Sequence, residues 1–340
     1  MPAALSRYQH ELTTDYDDGQ PELFSLVFGT ENTGYLTTTY PVLEGDEGAV
    51  GDVQRYRGDG VSFGEDYQGS KRATFEIAVL TDKAQVPEFA NHDAVERFEA
   101  VWRDERVRER STKYAVLRSQ MSGRVRRTYG RPRRFADTPG VTTRRGHTQI
   151  VCDFLSSDGL WYDDVEQVVS TVANRGGIDG MLEASTQNAA GRWVFTTLPG
   201  PGSGSGGQRP PDGYLPTTAT DVLSPTGFTV GGTRPTWPVV TFHASQGSSV
   251  LNPMVRVGGL VIKLADSIAA GKSVTVDTRP WSRRVVGSDG ANKAGRLTAD
   301  TPALRNCKMF PGSYTLAYTA TDPTGGSFCE LSFRNAYSRW

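Results

Sequence analysis

Seven short runs in which apolar and polar residues alternate follow one another through the last third of the chain: GFTVGG, WPVVTFHA, MVRVGGLVIKLA, KSVTVDTRP, RRVVG, YTLAYTATD and FCELSFRNAY. Alternation puts every second side chain on one face of a strand, and the Gly, Asn, Asp and Pro between runs supply turns. Such strands at such spacing specify an antiparallel sandwich or jelly roll. Composition agrees, since 38 Gly and 19 Pro in 340 residues favour turns over long helices. At about 150 residues per domain the length gives two domains. No stretch approaches the roughly 18 uninterrupted apolar residues of a membrane span. The opening MPAALSRYQHELTTDYDD lacks the basic-then-apolar pattern of a secretory leader.

The first half reads as strands around one helix. Residues 22–29 and 71–80 alternate as half-buried strands. Residues 93–110 form the best helix in the chain, with Asp93 and Glu96 as a capping-box start and Ala94, Val95, Phe98, Val101 and Trp102 on one stripe. Strands are expected at 113–119, 124–134 and 146–154. A single helix among strands is an α+β pattern. Between Pro199 and Asp212, PGPGSGSGGQRPPD has no side chains with which to build a core and reads as a loop or linker. The expected division is therefore 1–165 and 166–340, the second part containing that loop.

Catalytic constellations are sought and not found. Cys152 and Cys329 alternate with core residues and read as small hydrophobes, while Cys307 stays undecided. His10, His92, His147 and His243 are scattered, without zinc-ligand spacing. Gly60-Val61-Ser62-Phe63-Gly64 matches a nucleophile-elbow pattern but is flanked by polar turns instead of a buried strand and a helix. Adjacent carboxylates, Asp17-Asp18 and Asp163-Asp164, point apart on a strand and do not serve one substrate jointly. Arg57-Gly58-Asp59 reads as a tight turn. Trp237, Trp281 and Trp340 offer rings for sugar stacking, but the first two adjoin prolines at strand ends and the third ends the chain. The reading is non-enzymatic, without cofactor or metal.

A formal net charge of −1 hides two opposed blocks. Met1 to Asp66 holds 13 acidic and 3 basic residues, a net of −10, and Arg103 to Arg145 holds 13 Arg and 1 Lys against 4 acids, a net of +10. The arginine block admits three readings: a phosphate- and base-gripping site, a solvated strand pair, or a protein-contact surface. Arg in such excess over Lys suits bidentate carboxylate contacts, so protein contact leads. Its candidate interface residues are Arg103, Arg106, Arg124, Arg126, Arg127, Arg131, Arg133 and Arg134.

Several stretches, in order, resemble the distal tail proteins of long-tailed bacteriophages, and read most like minor tail proteins of actinobacterial phages. RGDGVSFGEDYQGSKRATFEIAVL, RPRRF and QIVCDFLSSDGLWY are similar to that family's first half. GGTRPTWPVVTFHA, LNPMV, IAAGKSVTVDTRPWSRRVV and FCELSFRNAYSRW are similar to its galectin-like second half. The resemblance implies a mainly β fold with one helix: an N-terminal α+β belt domain and a C-terminal galectin-like antiparallel β-sandwich. It implies a homohexameric ring at the distal end of the virion's tail tube. That ring joins the tube protein to the tail-associated hub of the baseplate, with the tape-measure protein passing through and receptor-binding or side-fibre proteins outside. Neither membrane nor sequence-specific nucleic-acid binding is expected. In a ring, one flank must complement a different one on the neighbour, which blocks of opposite charge supply. If either block faces the channel, the acidic one is expected there. The alternative is a tail-tip adhesin whose sandwich binds host-wall carbohydrate.

Overall fold

In the strand Lys71–Leu80, the alternate residues Ala73, Phe75, Ile77 and Val79 are fully buried. It pairs antiparallel along its whole length with His147–Ser156, which adds Ile150, Cys152 and Phe154 to the same face. The computed structural model describes residues 4–14, 25–39, 43–44, 53–54, 61–62, 69–109, 113–172, 183–187, 193–197, 226–322 and 326–339. These two strands lie sixth and fifth in an antiparallel sheet ordered Ser25–Phe28, His10–Thr14, Ala115–Met121, Arg124–Thr138, His147–Ser156, Lys71–Leu80 and Tyr35–Thr37. Met121 opposite Arg124 leaves a two-residue turn in which Ser122 and Gly123 both take positive φ, the hairpin geometry that matches strand twist. A bridge between Gly29 and Leu36 joins the two edge strands at one point, so the sheet curls on itself.

The inner face is closed by the helix Pro87–Trp102. It starts six residues before Asp93, so Asp93 and Glu96 are not its capping box but exposed interior positions. Pro87 sets the start: its ring fixes a helical φ, and its missing N–H is one that a first turn leaves without a partner. Nor does the helix reach residue 110. Asp104 interrupts it and caps a separate turn, Glu105–Arg108, its carboxylate accepting from the Arg106 backbone N–H at 3.1 Å. Phe98, Val101 and Trp102 are buried, with Ala94 and Val95 at the margin. Phe98 stacks on Trp102 at 5.6 Å, and Phe28 and Phe75 meet Trp102 edge-on. The Trp102 indole N–H donates to the Arg134 carbonyl at 3.0 Å and ties the helix to the longest strand.

The second half is two facing antiparallel sheets. One runs Gln167–Val172, Phe328–Phe333, Val239–His243, Ser273–Asp277, Arg284–Gly287; the other Thr226–Val230, Gly312–Thr321, Val250–Val257, Leu260–Lys263. Val240, Phe242, Val276, Cys329 and Leu331 from the first interdigitate with Val255, Val257, Ile262, Leu316 and Tyr318 from the second. The fold is thus mainly β with one full-length helix, as the sequence indicates. All three cysteines are buried, which decides Cys307. Residues 199–212 lie outside the described residues. Two connections depart from simple succession. Gln167–Val172 joins the sandwich from before that stretch, and Ala336–Tyr337 returns to pair with Trp161–Asp163 on the first sheet.

Candidate interaction surface

Alternation gives the curled sheet an outer face, and two arginines stand side by side on it. Arg118 and Arg127 are direct cross-strand neighbours, a pairing that repels unless an anion intervenes. Asp164 intervenes. It accepts from Arg118 Nε and Nη2 at 2.9 and 2.7 Å and from Arg127 Nε and Nη2 at 3.0 and 2.5 Å. The other end of the Arg118 guanidinium donates to Glu11. Arg118 and Glu11 side chains are 5% and 4% exposed, Arg127 and Asp164 15% and 19%. Burial alone would raise the Asp164 pKa, but hydrogen bonds and charge from Arg118 and Arg127 hold it below the ordinary carboxylate range. Asp163 points the other way and accepts from Asn335 Nδ2 at 3.0 Å and the Tyr337 hydroxyl at 3.3 Å. The twin carboxylates therefore serve separate structural contacts.

The same face docks the sandwich. Val116, Tyr129, Leu160 and Tyr162 form a small apolar cluster with Ala336, flanked by Tyr114, Trp237 and Trp281. Trp281 lies flat on Tyr129, centroids 4.1 Å apart and planes at 16°. Arg279 holds the corner carrying Trp281 by a two-pronged contact to buried Asp277 at 2.9 and 2.6 Å. Thr233 and Arg234 both donate backbone N–H to the Ala336 carbonyl. Trp237 and Trp281 are thus joint residues, not rings laid out for a sugar; Trp340 lies outside the described residues. Beneath the joint, the Asp158 carboxylate accepts from the Tyr162 hydroxyl at 2.5 Å and the Leu160 N–H at 3.1 Å. Burial pushes its pKa up to about 6, against these hydrogen bonds.

The eight candidate arginines divide by what they hold. Arg103 pairs with Glu99 at 2.7 Å, and Arg106 grips Asp104 with two bonds of 3.0 Å. Arg126 is buried, 3.7 Å above the Tyr337 ring, and donates to the Arg339 carbonyl at 2.7 Å. Arg127 shares Asp164, and Arg131 donates to the Lys113 carbonyl at 3.0 and 2.8 Å. Arg124, Arg133 and Arg134 are exposed and make no ion pair among the described residues. Part of the charge complementarity is therefore met within one chain, Glu11 of the acidic block answering Arg118 of the basic one. Most of the acidic block, with Asp17-Asp18 and Arg57-Gly58-Asp59, lies outside the described residues.

Sequence reasoning missed the two groups that carry this face, the Asp164 node and the Tyr129–Trp281 stack. A charged residue inside the apolar run AVLRSQM and aromatic residues beside twin aspartates in GLWYDD were the available signals. Ser62 of the nucleophile-elbow pattern lies in a two-residue strand paired with Val53–Gln54. His10 is buried between Phe28 and Phe75, with its pKa lowered by burial to about 4. No group of three metal-ligating side chains occurs among the described residues, and no described helix is long and apolar enough to cross a membrane.

A helix-filled, curled antiparallel sheet joined through its outer face to a β-sandwich defines a two-part β scaffold. Solved structures with a similar fold include phage proteins. The Dit protein (gp 19.1) of phage SPP1, described as a paradigm of the hub adsorption apparatus in phages infecting Gram-positive bacteria, matches with a TM-score of 0.50 at 13% identity, over 96% of this chain and 98% of that one. A chain of the phage P2 baseplate in its activated conformation with calcium matches with a TM-score of 0.51 at 12% identity, over 96% and 97%. The same baseplate with strontium gives 0.51 at 11%, with the same coverage. No protein-family model and no curated protein matches the sequence.

Proposed function

We propose that this chain is a structural subunit of a phage tail tip: a distal tail protein that closes a homohexameric ring and links the tail tube to the hub of the baseplate. The observation that supports the reading is the fold shared with the SPP1 Dit protein over 96% of this chain and 98% of that one. Under this reading residues 1–165 build the belt and residues 166–340 a galectin-like sandwich projecting outward. The tape-measure protein passes through the channel and receptor-binding or side-fibre proteins attach at the periphery. The protein performs no catalysis. A ring subunit needs unlike flanks and a rigid link between its parts. The exposed Arg124, Arg133 and Arg134 supply charge for one flank, and the Asp164 node and aromatic joint supply the link. Of the candidate arginines, those that pair within the chain act on assembly by holding the face in shape.

Gold-labelled antibody against the chain, applied to particles of the phage that encodes it, tests the location. Label confined to the far end of the tail supports the reading; label on the head, along the tube, or only on host debris contradicts it.

A further inference from the structure

The helix Pro87–Trp102 gives one side to the sheet, and the side it shows to solvent is patterned. Val86, Phe89, Asp93, Glu96 and Ala100 recur at intervals of three and four, so they stand along one exposed ridge. Val86 and Phe89 are 51% and 72% exposed, two neighbouring apolar side chains left open to water. Asp93 and Glu96 make no ion pair among the described residues. The other face of the sheet carries a groove that is also apolar but opposite in charge. About 360 Å3 of open space lies there beside the Trp281 corner, lined by Tyr114, Leu155, Pro280 and Trp281, with Arg133 also in its wall. Leu155 alternates with buried Phe154, which puts the groove on the outer face, whereas the helix closes the inner one. Arg131 is engaged with the Lys113 carbonyl, but Arg133 is exposed and makes no ion pair among the described residues.

We infer that the helix ridge of one copy docks in the groove of the next, with Phe89 anchored against the Tyr114 and Trp281 rings and Asp93 facing Arg133. The inference rests on the ring reading above and names the two flanks that meet. A space of that size takes a phenylalanine side chain whole. Asp93 lies one turn along the ridge, about 6 Å beyond Phe89, within reach of a charge on the groove wall. Glu96 follows at about 10 Å, where Arg134, next to Arg133 and also exposed, meets it. An aromatic anchor in a pocket, bordered by charges that set register and exclude wrong pairings, is the anatomy of a specific contact. Because ridge and groove lie on opposite faces of the sheet, a copy that gives its ridge keeps its groove open. The contact is therefore head-to-tail, the kind that propagates to a closed ring instead of stopping at a pair.

Light scattering across a concentration series measures self-association of the full chain, with melting curves as the check on folding. Phe89→Ser, Asp93→Arg and Arg133→Asp, all at exposed positions, are each expected to weaken association at least about tenfold and to melt as the parent does. Asp93→Arg combined with Arg133→Asp rebuilds the pair in reverse and is expected to recover most of that loss. Phe310→Ser removes another open aromatic, 61% exposed on the sandwich, and is expected to leave association unchanged. Rings that form as well from Phe89→Ser as from the parent overturn the inference and leave the ring reading standing. So does a combined variant no better than either single one, or a loss in Phe310→Ser as large as in Phe89→Ser, which would mean general apolar association. A parent that stays monomeric at every concentration overturns the inference as well, while the tail-tip location is decided separately by the gold label.

Discussion

Replacing Asp164 by alanine removes the acceptor of four charge-assisted hydrogen bonds and leaves Arg118 and Arg127 adjacent on neighbouring strands. Breaking a buried ion pair by deleting one partner costs about 3–5 kcal/mol. Here Asp164 keeps some contact with solvent and Arg118 keeps Glu11, so the low end applies, about 3 kcal/mol. A fitting control is Glu99→Ala, which deletes the helix-surface partner of Arg103. Those side chains are 38% and 47% exposed, and such a pair contributes about 0.5 kcal/mol or less. Urea unfolding followed by tryptophan fluorescence measures both, with Trp237 and Trp281 reporting from the joint. Acid dependence follows from the lowered Asp164 pKa. This carboxylate's contribution is complete above the unfolded value near 3.8 and is lost as pH falls through its lower folded value. A loss below about 1 kcal/mol for Asp164→Ala, no different from a surface pair, would refute the claim that this node holds the face together.

Asp158 behaves oppositely. Its folded pKa of about 6 lies above the ordinary 3.8, so the folded state gains stability as pH falls from about 6 to about 4, and Asp158→Asn should flatten that part of the stability–pH profile. Burial raises the thiol pKa of Cys152 and Cys329, and that of Cys307 to about 11, so a thiol-specific reagent at pH 8 should label none of the three in the native protein and all three in denaturant. Gly130→Ala would put a Cβ 2.0 Å from the Leu155 carbonyl oxygen, forcing apart the central strand pair. A loss of at least about 3 kcal/mol is expected, as for severe overpacking, and is read as a lowered melting temperature or insoluble product. Gly232→Ala, at φ +94° with its Cβ 2.3 Å from the Ala336 carbonyl oxygen, should disrupt the docking of the terminal strand and expose it to carboxypeptidase in a timed digest.

The strands were legible because each carries its own pattern: Lys71–Leu80 reads the same from its alternation as from its burial. The helix was legible in its stripe but not in its limits. The capping signal of Asp93 and Glu96 competed with Pro87, and the interruption at Asp104 reads locally like any helical acid. What the sequence could not show is pairing across distance. Asp164 lies 46 residues from Arg118, and Ala336 lies more than 170 residues from its strand partner Tyr162. No local period records which charges neutralise each other. The arginine block therefore read as one surface, whereas folding directs Arg126, Arg127 and Arg131 into the chain's own contacts and leaves Arg124, Arg133 and Arg134 facing solvent.

Cryo-electron microscopy of the purified full chain, with mass determined by light scattering on the same fractions, tests the proposed ring directly. The account predicts closed annuli of six copies, each with a belt toward the channel and a sandwich outside it. A closed ring of another copy number, a two-fold dimer, or an open filament would contradict it.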